Sequence, residues 1–185
     1  MNANRLRGLR LLIVVVSLWI TTVLPVAVWA QPFGTGKFGA NVPYGAATSL
    51  SISTGGNVLI QVTPTDSGTL GTANNAVTVT STDVVGYKLY IRSLSSTDMA
   101  NGAFTIPASA NGLPASLATN TWGYNTDAGA NYVGITASDV LVKNGVGPFS
   151  SGDTTTVTYG VKVDNSKPAG NYTSTVVYTA VPQTE

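Results

Sequence analysis

The chain has 185 residues, no histidine, no cysteine, and nine Lys/Arg against eight Asp/Glu, a formal net charge of +1; Glu185 is its single glutamate. Those absences deprive general acid/base catalysis, thiol chemistry and most transition-metal sites of their usual side chains, and they exclude disulfides. The expectation is a chain without catalytic activity and without a cofactor.

Residues 1–30 read as a secretory signal helix. Arg5, Arg7 and Arg10 precede an apolar run over residues 11–24, and Val28-Trp29-Ala30 before Gln31 suits a signal peptidase. An uncleaved membrane anchor is the other reading, against which Pro25 directly after the run and the cleavage-like site both weigh. Three basic residues and no acidic one lie in this segment, so cleavage leaves six Lys/Arg against eight Asp/Glu, a net of −2. Such a chain lacks the basic cluster needed to neutralise many phosphates, so neither nucleic acid nor, after cleavage, a membrane is expected as a partner. The remaining 155 of the 185 residues are enough for one apolar core.

Residues 31–47 are rich in glycine and proline, with Phe33, Phe38 and Tyr44 scattered, and read as a flexible leader. Residues 48–185 read as a single domain of short strands, because apolar side chains recur there at spacing two. The inward sets are Leu50 and Ile52; Val58, Ile60 and Val62; Val77 and Val79; Val85, Tyr87, Leu89 and Ile91; Phe104 and Ile106; Val133 and Ile135; Val140 and Val142. Asn101-Gly102, Asn111-Gly112, Asn144-Gly145 and Ser151-Gly152 punctuate them as turns. Val157, Tyr159, Val161 and Val163 alternate with polar residues, residues 164–170 supply turn chemistry, and residues 171–181 run on as a strand, which together predict a long β-hairpin. No helical period of useful length appears. The fold class is all-β, an antiparallel β-sandwich with threonines on its wet faces.

The stretches Val58-Leu59-Ile60-Gln61-Val62-Thr63-Pro64, Val77-Thr78-Val79-Thr80-Ser81-Thr82, Gly86-Tyr87-Lys88-Leu89-Tyr90, Thr121-Trp122-Gly123-Tyr124 and Pro168-Ala169-Gly170-Asn171-Tyr172 resemble those of bacterial secreted cell-surface β-sandwich proteins. The resemblance spans about residues 50–181. It implies a Greek-key sandwich, Ig-like or pilin-like, and display at the cell surface.

Candidate contact residues are Trp122, Tyr124, Asn125, Asp127 and Asn131. Trp122 and Tyr124 are spaced to share a strand face and can stack on a sugar ring, but one large ring commonly plugs a sandwich core, and that reading leads. Tyr44, Tyr90 and Tyr132 are weaker candidates of the same kind. Asn125, Asp127 and Asn131 gather oxygens in a loop, but calcium usually takes several carboxylates and only one is present, so a solvated turn is the leading account and no metal is expected. Asp66-Ser67-Gly68-Thr69 looks like an aspartic-protease stretch without its partner and reads as a turn. Lys162 and Asn171 flank the terminal hairpin, where an amide cross-link would need a buried acid beside them; exposure is the simpler reading. Asn171-Tyr172-Thr173 matches a glycosylation triplet, and residues 181–185 read as a frayed terminus.

The function expected is a secreted, surface-displayed structural or adhesive module, with loops 121–131 and 144–153 meeting a cell-surface protein or glycan. Self-association is the rival. Residues 48–63 have the alternation that adding a strand to a neighbouring subunit requires. A carbohydrate-binding module, or a small hydrolase using aspartates alone, is the third reading, though none of the aspartates sits in a paired motif.

Overall fold

The computed structural model describes residues 48–184; the signal and leader expected at residues 1–47 lie outside the described residues. Nine strands and no helix are found among them: β1 Ser49–Thr54, β2 Thr69–Thr82, β3 Gly86–Ser93, β4 Met99–Asn101, β5 Phe104–Ile106, β6 Thr121–Asn125, β7 Val140–Val146, β8 Phe149–Val163 and β9 Val176–Gln183. A four-stranded sheet has the order β1-β2-β8-β6, a three-stranded sheet the order β7-β3-β9, and β4 and β5 form a small hairpin. Every pairing between strands is antiparallel.

The two larger sheets share one core, a sandwich-like arrangement. The four-stranded sheet contributes Val77 and Val79 from β2, Trp122 and Tyr124 from β6, and Val157, Tyr159, Val161 and Val163 from β8; β3 answers from the other sheet with Tyr87, Leu89 and Ile91. The cause is the period of the strand. In β3, Lys88, Tyr90 and Arg92 alternate with those three and keep partial exposure, so one face is dry and the other wet. Each fully buried aliphatic side chain here contributes roughly 1.5–3 kcal/mol by leaving water.

Several expectations are corrected. The terminal hairpin does not form. β8 pairs with β2 and β6, β9 pairs with β3, and the two meet across the core, where the hydroxyls of Tyr159 and Tyr178 lie 2.6 Å apart. Both segments carry an apolar face, and two such faces are buried best when opposed rather than laid side by side in one ladder. Asn144-Gly145 is no turn but part of β7, with Gly145 opposite Tyr87; the reversal comes at Gly147, whose φ is 107°. Ser151-Gly152 lies inside β8, where the register against β2 shifts between Val79 and Ser81 and Gly152 takes a φ of 86°, a bulge that bends the longest ladder. Asn101-Gly102 does join β4 to β5, but Phe104 is 52% exposed and only Ile106 of that pair is buried. Leu50 packs on the core while Ile52 is exposed. The terminus is not frayed through residue 183, because Gln183 pairs with Gly86 and its carbonyl accepts from Val85 N at 2.9 Å.

The segment around Val58, Ile60 and Val62 is not a strand. Its three apolar side chains pack against the core in alternation, yet residues 57–64 make no backbone hydrogen bond to another described residue. They cover Gly71 of β2, where a Cβ would fall 2.3 Å from Val62 Cγ2 and 2.8 Å from Ile60 Cγ2. A glycine makes that close approach possible.

Candidate functional site

The site forms where β6 and β7, edge strands of the two sheets, come together. β6 is fixed on one side by β8, with Tyr124 opposite Tyr159 and Asn125 opposite Thr158. On its other side the returning chain pairs Tyr124 and Val133 through two backbone hydrogen bonds of 2.9 Å. Gly123 permits this approach, since a Cβ there would lie 2.4 Å from the Val133 carbonyl oxygen. Tyr132 follows the same path and lies over Gly160, buried to 3% exposure, so it offers no contact surface.

The loop after β6 holds its own shape. Asn125 Nδ2 donates to the Gly129 carbonyl at 2.8 Å, Gly129 N donates to Asp127 Oδ1 at 2.9 Å, and Ala128 takes a φ of 55° between them. These bonds compete with water for the loop's polar groups and restrict its conformations. The result is a cleft of about 230 Å³. Asn125, Thr126 and Asp127 form its polar rim, and Pro114, Val133 and residues 140–142 its aliphatic wall, with Tyr124 beneath.

One atom of that rim is unusual. Asn125 is 6% exposed, and its Oδ1 is buried with no hydrogen-bond partner among the described residues. A buried acceptor left unpaired costs on the order of 1–3 kcal/mol.

The structure separates the five candidate contacts. Tyr124, Asn125 and Asp127 line the cleft. Trp122 does not: it is 4% exposed, packs on Tyr159 with ring centroids 6.4 Å apart, and donates from Nε1 to the Thr97 carbonyl at 2.9 Å. It plugs the core rather than meeting a ligand. Asn131 is exposed on the loop but takes no part in the lining. Tyr124 presents little ring to solvent, at 3% exposure; burial, and then Tyr178, push its phenol above its ordinary pKa, so it stays neutral and acts as floor.

The aliphatic wall was missed in the sequence for a physical reason. β7 carries a bulge at Val142, where its register against β3 shifts between Leu89 and Tyr90. Past this irregularity Leu141 lies opposite the outward Tyr90 and Val140 opposite the buried Ile91, and at the sheet edge both stay open, 48% and 37% exposed, where with Val142 they line the cleft. Pro114 carries no signal that would have placed it there.

The second expected contact loop, residues 144–153, is mostly strand. Its Asp153 is structural: Oδ2 accepts from Tyr87 Oη at 2.8 Å and Oδ1 from Lys143 Nζ at 2.6 Å. Burial acts to raise the Asp153 pKa, but the bonds from Lys143 and Tyr87 outweigh it and hold the carboxyl below its ordinary value. Lys162 stands between Leu70 and Thr121 in the ladders on the outward face, and Asn171 is exposed. Residues 66–68 form the expected turn, closed by Gly68 N to the Thr65 carbonyl at 3.0 Å. No group of three or more His, Cys, Asp or Glu gathers among the described residues.

Fold and cleft together define an all-β antiparallel protein with a loop-lined recess between two sheet edges. Comparison with protein families, with curated proteins and with solved structures gives no match for this chain.

Proposed function

We propose that this chain is exported and serves, without catalysis, as a structural or adhesive β-sandwich module at a bacterial surface. The topology we infer is Greek-key, Ig-like or pilin-like, a reading supported by strands that change sheet between β2 and β3, β6 and β7, β7 and β8, and β8 and β9. The observation that carries the adhesive reading is the cleft: a self-braced loop, an aliphatic wall and an exposed carboxylate, Asp127, without a cationic partner among the described residues, set on edge strands. Surface localisation is checked by brief protease treatment of intact producing cells, which should remove the protein while cytoplasmic markers persist. Beads coated with residues 31–185 should adhere to target cells, and Asp127→Asn or Leu141→Glu should reduce adhesion with the circular dichroism spectrum unchanged. Retention inside the cell, or turnover of a substrate by the purified protein, defeats the proposal.

A second reading, a fibre subunit that polymerises by strand addition, is favoured by the segment at residues 57–64, which covers the core without a backbone ladder. β1, by contrast, is fully paired in its own chain, Ser49 to Thr82 through Thr54 to Val77. Size-exclusion chromatography of residues 31–185, with and without residues 31–63, separates the readings. Concentration-dependent oligomers that vanish on Ile60→Asp support exchange between copies; a stable monomer at all concentrations refutes it.

A further inference from the structure

Resting on the reading of the β6–β7 cleft as a recognition site, we propose that its ligand is a lysine side chain of a partner protein. The aliphatic stem lies along Val140 and Leu141, and the ammonium reaches the exposed Asp127 carboxylate on the rim.

Three features of the lining select this chemistry. The rim accepts hydrogen bonds more than it donates them: Asn125 Nδ2 is committed to Gly129, and Asp127 is exposed with no cationic partner among the described residues. An anion is therefore repelled, the more so because no basic residue lines the cleft and the nearby Lys143 is bound to Asp153. A purely apolar ligand would desolvate the exposed Asp127 carboxylate on the rim without supplying a cation, which is costly.

A sugar would bring hydroxyl donors, but it is held best on an open aromatic face, and here the wall is aliphatic while Tyr124 is 3% exposed. Size narrows the choice further. The recess of about 230 Å³ falls below the usual range of roughly 300–1,000 Å³ for whole small-molecule sites. It suits one extended side chain. A lysine offers an apolar stem with a charged, triple-donor head, matching a recess whose wall is dry and whose far rim is acidic.

The test is a nuclear magnetic resonance titration of isotope-labelled residues 31–185 with Nα-acetyl-lysine methylamide. The same titration is run with the Nε-acetylated derivative, the norleucine derivative and 1,5-diaminopentane. Shifts should concentrate at residues 124–127, 133 and 140–142, and the two uncharged derivatives should bind about tenfold more weakly, the scale of a lost charge-assisted hydrogen bond. Asp127→Asn should weaken lysine binding by a similar factor of about ten while its remaining Oδ1 keeps the bond from Gly129 N. A dispersed spectrum of that variant certifies its fold, and raising salt should weaken wild-type binding.

Equal affinity for the norleucine derivative, shifts elsewhere on the molecule, or no shifts at millimolar ligand overturns the proposal. Tighter binding of the diamine than of the lysine derivative overturns the partner-protein source. If the lysine derivative fails while coated beads still adhere through Asp127 and Leu141, only the ligand assignment falls; if adhesion also ignores both residues, the recognition reading falls with it.

Discussion

Residues 157–163 and residues 58–62 carry the same pattern, an aliphatic or aromatic side chain at every second position, and they end in different structures. The first lies in β8, paired with β2 throughout and with β6 over residues 158–162, with Val157 fully buried and Tyr159, Val161 and Val163 at 7% exposure or less. The second presses Val58, Ile60 and Val62 onto Gly71 and gains no ladder among the described residues. Alternation is therefore a statement about which side of an extended chain is dry. It carries no information about what the backbone is bonded to.

If that distinction holds, damage to the doubly laddered layer must exceed damage to the unladdered segment. The largest loss is expected for Leu89→Ala, which empties the centre of β3 and should cost about 3 kcal/mol in a urea unfolding experiment. A loss below that of the half-buried Ile60→Ala would break the comparison. Gly71→Ala comes next, at about 2 kcal/mol, since its methyl must push Val62 and Ile60 aside. The same variant should be cut faster by protease within residues 56–65, and unchanged cleavage would show that β2 does not hold this segment.

Asp153→Asn should cost about 1.5 kcal/mol near neutral pH by weakening the bonds to Lys143 and Tyr87. Its carboxyl has a depressed pKa in the folded protein, so its stabilisation is present above the ordinary value of 3.8 and is lost as pH falls through the lower folded value. Wild type should accordingly lose its advantage over the variant in that acid range, and a difference that stays constant down to the lowest pH refutes the assignment. The smallest effect is Ile60→Ala, at about 1 kcal/mol, because the side chain is only half buried. Hydrogen exchange sharpens the contrast: amides of Leu59 and Ile60 should exchange freely while those of Val157 and Val161 stay protected.

The sequence reading captured the faces of the central strands and missed their partners. Tyr87, Leu89, Ile91, Val77, Val79 and the four inward residues of β8 are buried as alternation requires. The predicted hairpin failed because proximity in sequence favoured β9 as the neighbour of β8, whereas burial set them on opposite sides of the core. Asn144-Gly145 misled for a related reason: a dipeptide that tolerates a turn does not compel one, and Gly145 instead makes room for the Tyr87 ring. Of the candidate site, Tyr124, Asn125 and Asp127 were readable because they lie close together in sequence, at the end of β6 and in the loop that follows it. Pro114 and Leu141 were not, since a wall assembled from distant segments leaves no local pattern, and Val140, opposite the buried Ile91 as an inward residue should be, is left 37% exposed because it begins an edge strand.

The outer ends of β1 and β9 meet at one pole. Ser49 pairs with Thr82 and Gln183 with Gly86, on either side of the β2–β3 turn, and Thr48 Oγ1 donates to the Asp83 carbonyl in that turn. Tension applied through the residues flanking β1 and β9 would thus peel each strand from its neighbour one rung at a time instead of loading a whole row at once. Yielding should begin at Ser49 and Gln183 under modest load, while the β2–β8 centre, reached last, stays intact.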